Sequence, residues 1–341
     1  MTEEKHMNPR RLNAVARSIL LATLVVALFG APAIWSQAQT KLSEEASSPQ
    51  PGQKTFATPQ QAAEALIHAA EQFDVPALNE MFGPDGKNLV TTADAVQDKN
   101  RVALFVAKAH AKTSVTTDPK SRSRAMLSVG DDDWPFPVPI VKKGGRWSFD
   151  SKAGRQEILA RRIGANELDA IAICHGFVNA QEEYASAVHD DSGITQYAQR
   201  IISTPGKRDG LVWRNPDGSL GGPISEKIAD AIEQGYTKRG EPYHGYYFKV
   251  LKGQGPAAPM GQLDFVIEGV MIGGFALVAA PAGYRVTGVK TFIVSHNGIV
   301  YQKDLGPDTL KAFEEMERYN PDKTWHRTDD EWPPEVAATG E

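Results

Sequence analysis

Arg161, Arg162 and Glu167 stand close together in the chain, and that set can do electrostatic work. A guanidinium presents paired N–H donors in a plane that matches a carboxylate. The two arginines can therefore clamp an acid, either within the protein or on a ligand. The structural alternative is a salt bridge joining two domains. Asp131-Asp132-Asp133 offers carboxylate oxygens to a hard cation. Three consecutive side chains seldom converge on one ion, however, and the spaced D-x-D-x-D pattern is absent. A solvated turn before Trp134 is the plainer reading. Trp134, Phe136, Trp147 and Phe149 form an aromatic wall, which is either core or a carbohydrate platform.

Cys174 precedes His175, as a nucleophile and base would. Helix neighbours point about 100° apart, so adjacency gives no contact. Cys174 also falls on an apolar stripe, which suits a buried structural thiol. His189-Asp190-Asp191 brings one histidine and two acids to a helix end, a weak pattern for a metal. His244 and His296 sit in turns with no carboxylate paired to them in sequence. Ser192 and Ser295 lack the G-x-S-x-G elbow of a hydrolase. Gly253-x-Gly255 runs into Pro256 and suits a turn better than a dinucleotide loop. No metal and no cofactor is expected.

These groups need elements to hold them. Thr58 as N-cap, Pro59 at the first helical position and Gln61 as a capping-box partner predict a helix start. Short helices follow over Val75–Met81 and Lys99–Ala111. Strands are predicted at Arg124–Val129, at Phe136–Lys142 (kept at an edge by Pro137 and Pro139) and at Arg146–Asp150 after a Gly144-Gly145 turn. Gly154–Val188 reads as one long helix or two in series, with Gly164 as a candidate break. A short helix is expected near Ser225–Gln234. Strands then cover Tyr246–Leu251, Leu263–Met271, Phe275–Ala280 and Lys290–Val294. Asn297-Gly298 suits a type I′ hairpin into Ile299–Lys303. Thr309–Arg318 closes as a helix. The fold class is α+β: helices and antiparallel sheet in a pocket-like N-terminal domain, then a long helix and a second antiparallel sheet. The boundaries are 1–38, a leader at 39–55, domains at 56–153 and 154–318, and a loosely held tail at 319–341.

Residues 1–38 read as an export signal. Lys5, Arg10, Arg11 and Arg17 make a basic start, an apolar run spans Ile19–Phe29, and Ala31-x-Ala33 and Ser36-x-Ala38 are small-residue cleavage patterns. The run falls short of the roughly 20 residues that span a bilayer. Cleavage near Ala38 would leave a periplasmic protein without a stable membrane span. The general and twin-arginine export routes both stay open. The full chain carries −5, and the signal carries +2, so the mature part carries −7. A mildly acidic chain has no general attraction for phosphate backbones, so nucleic acid is not an expected partner. The single cysteine allows no internal disulfide.

An ordered series of motifs runs through the chain. Asp133-Trp134-Pro135-Phe136-Pro137, Arg146-Trp147-x-Phe149-Asp150, Arg161-Arg162-Ile163-Gly164-x-Asn166-Glu167 and Ala180-Gln181-x-Glu183-Tyr184 come first. Gly245-Tyr246-Tyr247-Phe248, Gly274-Phe275-Ala276-Leu277-Val278 and Tyr301-Gln302-Lys303-Asp304-Leu305-Gly306 follow. Over most of residues 55–318 the chain resembles an exported bacterial family, domain of unknown function 2950. That resemblance implies an envelope location and brings no reaction. The second half is also similar to the headgroups of type IV pilins and pseudopilins. No prepilin-type processing site precedes the helix at Gly154, so this likeness implies a headgroup without a filament. Residues 56–150 are loosely similar to cone-shaped domains of the nuclear-transport-factor-two type.

The reading that follows is a soluble envelope protein that binds or interacts without catalysis. Its expected partner is another envelope protein or a small ligand. Arg161, Arg162, Glu167, Asp133, Trp134 and Trp147 are the candidate ligand-binding residues. The alternative is a periplasmic hydrolase using the N-terminal pocket, with Arg161, Asp133 or His175 involved. A third reading is a filament-associated subunit.

Overall fold

The computed structural model describes residues 51–91, 95–189, 193–223 and 242–330. The export signal, most of the leader, Asp190–Ser192, the helix expected at Ser225–Gln234 and residues 331–341 lie outside the described residues. The fold is α+β, in two compact units divided between Ala160 and Arg161.

In the first unit, α1 (Pro59–Glu71) starts as its sequence dictates. Thr58 Oγ1 accepts the Gln61 N–H at 3.1 Å, and Gln61 Oε1 accepts the Ala57 N–H at 3.3 Å. Asp74 caps α2 (Val75–Phe82) through the Ala77 N–H, and Gly83 (φ 68°) ends it. A short α3 (Lys87–Val90) and then α4 (Ala95–Ala111) precede the sheet. The strands β1 (Thr113–Thr117), β2 (Arg124–Val129), β4 (Ile140–Lys143) and β5 (Arg146–Phe149) are antiparallel neighbours in that order. β3 (Trp134–Pro135) also pairs with β2. The strand expected from Phe136 therefore starts only at Ile140 and lies inside the sheet. Pro137 and Pro139 cannot donate to a ladder, so they fall in the link before it. Leu66, Met81, Leu127, Ile140, Trp147 and Phe149 form the core.

α5 (Ser151–Tyr184) is one helix, continuous through Gly164. Within the second unit its buried positions are Ala170, Cys174, Phe177, Val178, Gln181 and Tyr184, a helical stripe packed into the core. Ile158, nearer the start of the helix, is exposed. The main sheet runs in the order β17 (His326–Arg327), β16 (Tyr301–Asp304), β15 (Lys290–Ser295), β14 (Ala276–Pro281), β9 (Tyr246–Leu251), all antiparallel. β14 is buried throughout, which is why it reads as an unbroken apolar run. α6 (Thr309–Glu315) is shorter than expected and ends at Met316.

Three segments differ from expectation. Only Gly298 has a positive φ at Asn297-Gly298, and a type I′ turn requires two. The register pairs Ile293 with Tyr301, and the Gly298 N–H reaches Ser295 O at 2.9 Å. That is a longer loop, closed by a left-handed glycine. The predicted strand Leu263–Met271 is instead broken. β11 (Leu263–Asp264) pairs with β10 (Gly253–Gln254), while β12 (Val266–Ile267) turns back as β13 (Val270–Met271). Glu268 (φ 51°) and Gly269 (φ 86°) supply the type I′ geometry there. Residues 319–330, read as loose tail, are woven in. Tyr319 is fully buried and its backbone bonds to Gly253 and Gly255.

Candidate functional site

The second unit holds a cleft of about 730 Å³ beside the C-terminal end of α5. Its walls come from separated segments, each fixed by buried polar chemistry. Gln181 is fully buried, donates to Ala198 O and accepts from the Ala198 N–H, both at 2.8 Å. That side-chain amide pins residues 196–199 as a neighbouring strand would. Tyr184, the last residue of α5, donates to Arg208 O at 2.5 Å. His189 stacks on Tyr184 with ring centres 4.1 Å apart, and its Nε2 donates to Tyr184 O at 2.8 Å. The other side of the cleft includes Lys252 and Gly269, from the end of β9 and the β12–β13 turn.

β6 (Arg200–Ile202) and β7 (Gly210–Arg214) frame a loop that turns through Gly206, and β8 (Leu220–Gly221) pairs with β7. β6 and β7 are parallel, although parallel strands normally need a crossover of about a dozen residues or more. The short link closes because Ser203 Oγ accepts the Gly210 N–H at 2.9 Å. Asp209 accepts from both the backbone N–H and the hydroxyl of Thr204 at 2.7 Å. Gly210 is required there, since a Cβ would meet Ser203 N at 2.6 Å.

Arg200, Lys207, Arg208 and Lys252 line this cleft, with Asp209 as the single lining carboxylate among the described residues. Burial works to raise the Asp209 pKa. The Thr204 hydrogen bonds and the Arg200 charge outweigh it and hold the carboxyl below the usual carboxylate value. The Arg208 guanidinium lies over Trp213, 5.3 Å from the ring centre.

The sequence candidates are engaged locally. In the first unit, Lys108 reaches both carboxylate oxygens of Asp132 at 2.9 and 2.7 Å, and Lys112 reaches Asp133 at 2.8 Å. The Lys108 hydrogen bond is the main influence lowering the Asp132 pKa. Trp147 is buried in the core, and half-buried Trp134 packs edge-on to Phe136. In the second unit, Arg162 donates to Val286 O at 3.2 Å. Glu167 accepts the Val289 and Lys290 N–H groups at 2.8 and 3.0 Å. Arg161 is half-buried one residue before Arg162. The α5 face bearing Arg162, Asn166 and Glu167 thus docks the 286–290 segment.

Cys174 is fully buried, and burial, aided by the Asp330 charge, pushes its thiol far up. A thiolate nucleophile is therefore not available there. His175 Nε2 lies 2.5 Å from Asp330 Oδ2, holding the 326–330 segment. Sequence reasoning missed the cleft. Lys207 and Arg208 fall in a stretch rich in Gly and Pro, and Lys252 arrives from a distant strand, so no local spacing marks the site.

The fold and cleft define a two-unit α+β protein with a basic cleft and a buried thiol. The family model for a protein of unknown function (DUF2950) matches residues 53–328. The chain belongs to that family. No curated protein and no solved structure matches it.

Proposed function

We propose that this protein is exported to the bacterial envelope and acts there as a non-catalytic binding module, with the cleft of the second unit taking a small ligand. One observation carries the reading: a cleft of about 730 Å³, within the range of small-molecule sites, walled by exposed polar and basic side chains on a hydrogen-bonded frame. The groups named for catalysis support binding better than turnover. Asp133 is held by Lys112, His175 by Asp330, and Cys174 is deep in the core. Export is supported by the basic start, the apolar run and the small-residue pattern of residues 1–38. A long helix packed against an antiparallel sheet supports a pilin-head-like plan for the second unit. Among the described residues no helix is long and apolar enough to cross a membrane.

Cell fractionation with intact-mass analysis tests the location. The expected result is a periplasmic species beginning near Gln39, and a cytosolic species retaining Met1 would refute it. Native mass spectrometry of that species tests the binding role. A small molecule should copurify with it and be lost when Gly206→Trp blocks the cleft mouth. Retention of the molecule in that variant would move binding elsewhere.

A further inference from the structure

We propose that the ligand of this cleft carries two or more anionic groups of the carboxylate or phosphate class; this rests on reading the cleft as the binding site. Among the described residues the cleft brings four basic side chains to one place against one carboxylate, while the whole chain carries −5. Carboxylates are abundant elsewhere, so the imbalance is local. Asp209 offsets only Arg200, its ion-pair partner at 3.6 Å, and its oxygens also accept from Thr204, which leaves three cations in excess.

Among the described residues Lys207, Arg208 and Lys252 make no ion pair. Lys252 has a single weak partner, the neutral amide oxygen of Gln199 at 3.5 Å. The Arg208 guanidinium lies 5.3 Å from the Trp213 ring centre, and its paired N–H donors suit a carboxylate or phosphate acceptor. Both lysines are exposed, so they pay no burial cost until a ligand covers them. Lysine ammonium groups serve as point charges for anions, and arginine adds a paired contact.

The chemistry stops at binding. His189, the lining histidine, lies between Tyr184 and Trp213, with its Nε2 donated to Tyr184 O. Among the described lining residues, a ligand anion would meet positive charge with no activated nucleophile beside it.

The test is isothermal titration of the mature full chain with tripolyphosphate, with citrate and with the uncharged trisaccharide raffinose. At least one anion should bind. Its affinity should fall about tenfold between roughly 0.05 M and 0.3 M salt, because exposed charges are screened. A loss of about tenfold or more is also expected in Lys207→Glu/Lys252→Glu. The milder Lys207→Gln/Lys252→Gln pair gives a second measurement should the charge reversal impair folding. Tighter tripolyphosphate assigns phosphate, and tighter citrate assigns carboxylate. Raffinose binding that Gly206→Trp abolishes, with neither anion binding, would overturn the anionic class yet keep the cleft as the site. Anion binding that is unchanged in both lysine pairs would overturn the proposal, as would failure of both anions to bind.

Discussion

Lys108 on α4 and Lys112 just past its end, set beside Lys207 and Lys252 at the cleft, are the same chemical group in opposite circumstances. The first pair is matched, lysine for carboxylate, by Asp132 and Asp133. The second pair has no carboxylate within ion-pair distance among the described residues. A run of acids stands out in the sequence, yet here it serves to fix a turn against a helix. Lys207 and Lys252 stand far apart in the sequence and, among the described residues, are matched by no carboxylate. The difference is why we propose the cleft, and not the acidic turn, as the place where a ligand binds.

That contrast can be broken most severely from the core. Trp147→Ala should cost about 3–5 kcal/mol of stability in urea denaturation. Anion affinity at the cleft should be unchanged in the fraction that stays folded. Gln181→Ala leaves the Ala198 N–H and C=O buried without their partner, and should cost about 1–3 kcal/mol. Unlike the tryptophan change, it should also weaken ligand binding, because the cleft wall hangs on that amide. Lys207→Glu/Lys252→Glu should shift stability by less than about 0.5 kcal/mol, as exposed substitutions do. Its loss should appear in binding alone.

Lys112→Ala sharpens the other side. Both partners are exposed, so the Asp133 pair should be worth no more than about 1 kcal/mol, and anion titrations should be unaltered. The smallest effect concerns Asp209. Its pKa is depressed in the folded protein, so its stabilising share is complete above the unfolded value near 3.8. That share fades as pH falls through the lower folded value. Between pH 5 and pH 2, roughly, the wild type should lose slightly more stability than Asp209→Asn.

How much of this was legible beforehand depended on distance along the chain. The α1 cap, β2 and the length of α5 rest on neighbours a few residues apart, and the sequence pattern marks them well. The type I′ turn falls at Glu268-Gly269, inside the stretch read as one strand, although Asn297-Gly298 carries the stronger dipeptide signal. Glu268, an unfavoured residue at positive φ, is held there by the pairing of Val266 with Met271. The parallel β6–β7 pair was illegible, since its closure depends on side chains of Ser203 and Asp209 acting as backbone partners. Among the candidate residues, Trp147 and Glu167 have the right chemistry for a site. Only tertiary structure reveals that the core and the 289–290 backbone had already claimed them.

The strand at His326–Arg327 gives the second unit a late birthday. A chain that leaves the ribosome or a translocation channel from its N-terminus can complete the first unit early. The second must wait with the outer side of β16 bare, and with no aromatic ring in the Tyr319 slot, until its closing dozen described residues emerge. An unpaired strand edge invites pairing with the wrong chain. Chaperones and proteases would meet their most vulnerable target in that interval.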